Sequence, residues 1–219
     1  MRITFLFIFS LMLASCWNGE KNTNTPKQKL TPQHRYTEFT TDNYTAVVLK
    51  CDVGRLKLNI YQYANPKIEI HKTYQKYVKL VPENDTLFIY VSGTPKSTEQ
   101  VKIHKNINLY LPDLSYLESE VSQITVHNYA VPKLKIVNKS NALRLYNCKI
   151  RELTVSNKGL CNIHFDGNNH FDKVQVTLNS KSYFTSYAQI LTSLTLKTPS
   201  LQNTRFTNLP SDGFFWIKE

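Results

Sequence analysis

The chain has 219 residues, 41% of them hydrophobic and 12% aromatic, which leaves room for one domain or two small ones and excludes a larger array. With 27 Lys and Arg against 16 Asp and Glu, its formal charge of +11 favours anionic partners by long-range attraction and says nothing about fold. Beyond the N-terminal stretch, no segment is long and apolar enough to span a bilayer as a helix.

The chain opens on Met1-Arg2, runs largely apolar from Ile3 to Ala14 and reaches small residues at Leu13-Ala14-Ser15-Cys16. A charged start, a short apolar core and a small-residue end describe a secretory signal over residues 1–15. Leu13-Ala14-Ser15-Cys16 resembles the lipobox of bacterial lipoproteins. That resemblance implies cleavage before Cys16, lipidation of the Cys16 sulfur and acylation of the new amino group. Two or three acyl chains, at roughly 0.8 kcal/mol per buried CH₂, make a durable membrane anchor. Residues 16–35 are rich in Asn, Thr, Lys, Gln and Pro, bury too little to fold, and are expected to form a flexible tether.

Residues 36–110 read as an N-terminal β portion. Val47-Val48-Leu49, Leu56-Lys57-Leu58-Asn59-Ile60, Ile68-Glu69-Ile70, Leu87-Phe88-Ile89-Tyr90-Val91 and Ile107-Asn108-Leu109-Tyr110-Leu111 are short strand candidates. Val53-Gly54, Ala64-Asn65-Pro66 and Pro82-Glu83-Asn84-Asp85 supply turns between them. No long amphipathic helix follows the leader. This portion is expected to cover one end of what comes next.

From 111 to 206 a short apolar pattern recurs: Leu111-Leu114-Tyr116, Val131-Leu134-Ile136, Ile150-Leu153-Val155, Phe171-Val174-Val176 and Leu191-Leu194-Leu196, with starts 20, 19, 21 and 20 residues apart. A second pattern follows each start: Ile124-Val126, Leu143-Leu145, Ile163-Phe165, Phe184 and Thr204-Phe206. A period of about 20 residues predicts a β-solenoid whose coils stack about 4.8 Å apart as parallel sheets. Leu114, Leu134, Leu153, Val174 and Leu194 would form one interior ladder, and Leu143, Ile163 and Phe184 another. Asn138 and Asn157 are expected at coil corners, where Asn tolerates left-handed backbone. Outward Asp113, Lys133, Glu152, Lys173 and Ser193 alternate in sign, as neighbouring strands favour. A Greek-key sandwich of evenly spaced strands is the competing architecture. Residues 207–219, with apolar Phe214-Phe215-Trp216-Ile217, are expected to form a C-terminal cap, or else an interaction tail.

The strand at Val47-Val48-Leu49 with Val53-Gly54, then Asn84-Asp85-Thr86-Leu87-Phe88-Ile89, Leu109-Tyr110-Leu111-Pro112-Asp113-Leu114 and the coils of about 20 residues resemble the GIN-type auto-transporter adhesin head domain family over residues 36–206. The resemblance implies an all-β fold, a right-handed parallel β-helix placed outside the cytoplasm, and no catalytic residues to carry over. The chain differs from that family in having only six Gly, where the family's turns are Gly-rich.

Lys133, Lys135, Lys139, Arg144, Lys149, Arg151 and Lys158 crowd into two adjacent coils and form a candidate basic patch, with Lys133 its weakest member because Asp113 and Glu152 flank it in the ladder. A solvated polar face is the alternative. Cys51, Cys148 and Cys161 cannot all pair within one chain, and buried thiols are favoured. His164, Asp166, His170 and Asp172 lie close together, yet Asp166-Gly167-Asn168-Asn169 reads as a corner turn, so no metal is expected. Asp113, Glu118, Glu120, Glu152 and Asp172 are scattered over several coils, and the carboxylate separations that glycoside hydrolysis needs cannot be read from sequence. The reading is a lipid-anchored binding, adhesion or scaffold module of the bacterial cell envelope, on the outer membrane, without catalysis or cofactor. Its expected partners are the membrane and an anionic glycan, lipopolysaccharide or envelope protein, and not nucleic acid. A glycan-active enzyme or lectin-like module is the alternative.

Overall fold

The computed structural model describes residues 35–52, 56–93, 106–210 and 213–218. The expected signal, the Cys16 anchor, the tether up to residue 34 and the Val53-Gly54 turn lie outside these residues. Among them the chain is almost entirely β. Its strands are β1 (Tyr36–Thr40), β2 (Ala46–Cys51), β3 (Lys57–Gln62), β4 (Lys67–His71), β5 (Val78–Glu83), β6 (Thr86–Val91), β7 (Asn106–Leu111), β8 (Tyr116–Ser119) and β9 (Gln123–His127). They continue as β10 (Ala130–Asn138), β11 (Ala142–Tyr146), β12 (Lys149–Asn157), β13 (Asn162–Asp166), β14 (His170–Thr177), β15 (Tyr183–Ser186), β16 (Gln189–Lys197), β17 (Thr204–Phe206) and β18 (Phe214–Ile217).

These strands form two nine-stranded sheets. The first runs β1-β4-β7-β3-β9-β11-β13-β15-β17 and the second β18-β16-β14-β12-β10-β8-β2-β6-β5. From β8 onward the chain alternates between the sheets, and each strand pairs in parallel with the one two elements later. A Greek-key sandwich would pair them antiparallel. In the second sheet Leu134, Leu153, Val174 and Leu194 stand in register, as do Ile136, Val155, Val176 and Leu196. In the first, Ile124, Leu143, Ile163 and Phe184 align. Period-two alternation sends these residues inward and Lys135, Thr154 and Gln175 outward. The inward sets of both sheets make one core, in which Phe165 meets Phe171 and Phe184 edge-to-face at 5.2 and 5.0 Å.

Three details differ from the sequence expectation. In the first repeat, Leu111 ends β7 in the first sheet and pairs with Gln62, while Leu117, not Tyr116, points inward and aligns with Ile136. Leu114 therefore sits outside the ladder, although it is buried. In the last repeat Ile190 fills the inward place and Leu191 is 58% exposed. The reason is a register shift: β16 carries one more residue than β14 between its inward positions, a β-bulge that turns Leu191 out. Finally, Asn138 and Asn157 are not the left-handed corners. Both are buried, and Asn138 Nδ2 donates to Asn157 Oδ1 at 3.0 Å, so they form an internal amide ladder. The left-handed corners are Asn128, Asn147 and Gly167, with φ of 51°, 55° and 71°. A Cβ at Gly167 would lie 2.6 Å from Asn147 Oδ1, the atom that accepts the Asn168 backbone N–H, so Gly is required there.

The N-terminal strands belong to the same two sheets. β2 and β3 slot in parallel between β6 and β8 and between β7 and β9, out of sequence order. Antiparallel pairing appears only beyond them, where β5 meets β6 and β4 meets β7 and β1. At the opposite end β18 pairs β16 and leaves Phe215, Trp216 and Ile217 exposed.

Candidate functional site

The registers of the first sheet fix which outward side chains become neighbours on its outer face. One row runs Glu69, Asn108, Asn59, Thr125, Arg144, His164, Thr185 and Arg205. Beside it run Tyr110, Tyr61, His127, Tyr146 and Asp166. On the other flank Gln123, Ala142, Asn162 and Tyr183 follow one another. Strand spacing places successive members of a row about 4.8 Å apart.

At the N-terminal half these side chains bond one another. Glu69 Oε2 accepts from Asn108 Nδ2 at 3.2 Å and from the Tyr110 hydroxyl at 3.1 Å, and Glu69 Oε1 from Lys67 Nζ at 2.9 Å. Asn59 donates to Asn108, and Lys67 also bridges Glu38. Burial works against the Glu69 charge, but the three donors outweigh it and hold its pKa low. Burial, then the Glu69 charge, pushes Tyr110 up to about 12. Tyr110, Tyr61 and His127 stack face to face, with centroids 5.1 and 4.8 Å apart, so both faces of the central Tyr61 are taken. Burial lowers the His127 pKa.

At the C-terminal half the same rows border an open groove of about 370 Å³, within the size range of small-molecule sites. His164, Thr185 and Arg205 line one side, Asn162, Tyr183 and Asn203 the other, with Gln202 at the mouth. Tyr183 is 55% exposed. Among the described residues, no hydrogen bond, ion pair or ring contact within the protein engages any of these side chains. Among the described residues no carboxylate lines the groove. Asp166 lies two residues along β13 from His164, on the same face but outside the lining. Beneath the groove, Phe165, Phe184 and Phe206 pack edge-to-face and fix its floor. A second groove, of about 540 Å³, lies around the corner between Asn168, Tyr187, Leu191 and Leu209 and is partly apolar.

The structure spreads the seven basic residues over both sheets. Arg144 faces out from the first sheet in the row that leads to the groove. Lys133 and Lys135 face out from the second, where Lys133 bonds Glu152 at 2.7 Å and Lys135 lies 5.9 Å from the Tyr116 ring centroid. Lys139 bridges Glu118 at 2.9 Å and Glu120 at 2.7 Å. Lys149 begins β12 and Arg151 is exposed on it, while Lys158 follows that strand. Lys139 and Tyr116 hold Glu118 below the ordinary carboxylate range. Cys148 and Cys161 are buried and pushed up to about 11 by that burial, and Cys51 is half-buried at the end of β2. Among the described residues no three His, Cys, Asp or Glu side chains gather as metal ligands. None forms a helix long and apolar enough to cross a membrane.

The groove residues were within reach of the sequence. Once Ile163, Phe184 and Thr204 are assigned to one register, the residues flanking each, at 162 and 164, 183 and 185, 203 and 205, must face out and stack.

The fold and this groove describe an all-β protein with a polar groove on the outer face of its first sheet. No protein-family model matches the chain, and no curated protein matches it. Among solved structures it is similar to a "putative adhesin" from Bacteroides fragilis NCTC 9343, at 13% identity and a TM-score of 0.51, over 83% of this chain and 96% of that one. A "putative lipid binding protein" from Parabacteroides distasonis ATCC 8503 aligns over 84% and 96% at 15% identity, with a TM-score of 0.40. A "putative cell adhesion protein" from Clostridium sporogenes ATCC 15579 aligns over 84% and 98% at 12% identity, with a TM-score of 0.32. The likeness to the Bacteroides structure is one of fold.

Proposed function

We propose that this chain is a non-catalytic binding module of the bacterial cell envelope, a right-handed parallel β-helix of the GIN-type adhesin head kind. In this reading it is tethered through Cys16 to the outer membrane. The observation that carries the binding role is the groove on β13, β15 and β17, whose polar side chains have no partner among the described residues. The described residues of its lining are amides, hydroxyls, an imidazole and a guanidinium, a set suited to holding a ligand, whereas glycoside cleavage relies on a pair of carboxyl groups. Elsewhere Glu118 and Glu120 share Lys139, and Glu152 is held by Lys133, so those acids serve as structural partners. The description of the Bacteroides structure as an adhesin accords with this reading. The lipobox Leu13-Ala14-Ser15-Cys16 supports the anchor, and the net charge of +11 supports anionic glycan, lipopolysaccharide or acidic envelope protein as partners over nucleic acid, which the exported address disfavours.

Protease treatment of intact and permeabilised cells tests the placement. Cleavage on intact cells supports surface display and adhesion, whereas protection until permeabilisation redirects the role to periplasmic partners. Cys16→Ala should release the protein from the membrane fraction, and its retention there would contradict the anchor.

A further inference from the structure

The two halves of the first sheet's outer face suggest what the groove takes. At the N-terminal half, one carboxylate, Glu69, gathers a cation, an amide and a phenol: Lys67, Asn108 and Tyr110. At the C-terminal half the same kinds of donor recur as Arg205, Asn162 or Asn203, and Tyr183, with no carboxylate among them. The geometry points to a carboxylated sugar unit of an acidic glycan as the ligand of this groove. Its carboxylate takes the place at Arg205 that Glu69 takes at Lys67, in a charge-assisted, bidentate contact that guanidinium favours. Its ring lies on the Tyr183 face, which no other described ring covers, in contrast to the stacked Tyr61 and Tyr110. Its hydroxyls meet the amides of Asn162 and Asn203, each able to donate and accept. Arg144 sits beside His164, one strand beyond the groove, and offers a second cation to a glycan running across the strands.

This inference rests on the binding-module reading, and one experiment separates their failures. The full chain is titrated calorimetrically with a short oligogalacturonate and with the same oligomer after its carboxyls are reduced to alcohols. The expected result is binding of the acidic oligomer, weakened about tenfold or more by Arg205→Gln and by Tyr183→Ala, with Lys133→Ala unchanged. The carboxyl-reduced oligomer should bind as weakly as the acidic oligomer binds Arg205→Gln. Because Arg205 and Tyr183 are exposed and bonded to none of the described residues, the unfolding midpoints of these variants should match wild type, so a loss of binding is not a loss of fold. Equal binding of both oligomers, binding insensitive to both substitutions, or no binding would overturn the acidic-sugar site and leave a binding module with another ligand. Shortening of the oligomer during the titration would instead overturn the non-catalytic reading itself.

Discussion

Glu69 receives hydrogen bonds from Lys67, Asn108 and Tyr110, whereas on the same face of the same sheet the side chains of Asn162, Tyr183, Asn203 and Arg205 bond to none of the described residues. Parallel or antiparallel pairing assembles both groups in the same way, by stacking outward residues in register. What separates them is the Glu69 carboxylate at the centre of the first group. Where a carboxylate is present the donors are drawn together and stiffen the face. Where it is missing the donors keep no partner among the described residues, and in the proposed reading they are left for a ligand. One row can therefore be structural at one end and receptive at the other.

The largest test of this contrast removes what the receptive half stands on. Phe184→Ala deletes a fully buried ring between Phe165 and Phe206 and is expected to cost about 3–5 kcal/mol in denaturant unfolding, along with groove binding. Glu69→Ala comes next. It should cost about 1–3 kcal/mol, because Lys67, Asn108 and Tyr110 lose their shared acceptor, and leave binding at the groove intact.

The pH dependence sharpens the same point. Glu69 and Glu118 have folded pKa values below their unfolded ones. Their stabilisation is thus present above the ordinary carboxylate value of about 4.3 and is lost as pH falls through the lower folded values. Glu69→Gln should flatten that acid loss in a series of unfolding curves, while Arg205→Gln should not. At the basic end Cys148 and Cys161 are raised to about 11, so stability holds below the ordinary thiol value of about 8.5 and declines as pH climbs towards 11. The smallest effects on folding belong to the groove itself. Tyr183→Ala and Arg205→Gln should each shift stability by no more than about 0.5 kcal/mol.

Much of the all-β, two-sheet arrangement was legible in the sequence because period-two alternation and a repeat of about 20 residues act together on successive strands. Leu134, Leu153, Val174 and Leu194 align as that repeat requires. It failed where local geometry changes the count. The bulge in β16 replaces Leu191 by Ile190, and the short β8 shifts its inward residue to Leu117. Position in the period could not reveal that Asn138 and Asn157 turn inward to bond each other while Asn128 and Asn147 take the corners, since both pairs recur at the same spacing. The insertion of β2 and β3 between later strands is equally invisible to a local pattern. Lys and Arg cluster along the chain over residues 133–158, and of these Lys133 and Lys139 are engaged by Glu152 and by Glu118 and Glu120. Among the described residues the groove is marked by amides without partners and by the lack of a carboxylate, and only spatial neighbours disclose that.

The most direct measurement follows side-chain amide resonances of the full chain by NMR during titration with oligogalacturonate. Asn162 and Asn203 should shift and saturate together, while Asn59 and Asn108, already bonded to each other at 2.9 Å, should stay in place. Shifts at Asn59 and Asn108 with none at Asn162 and Asn203 would contradict the division of this face into a structural half and a receptive half.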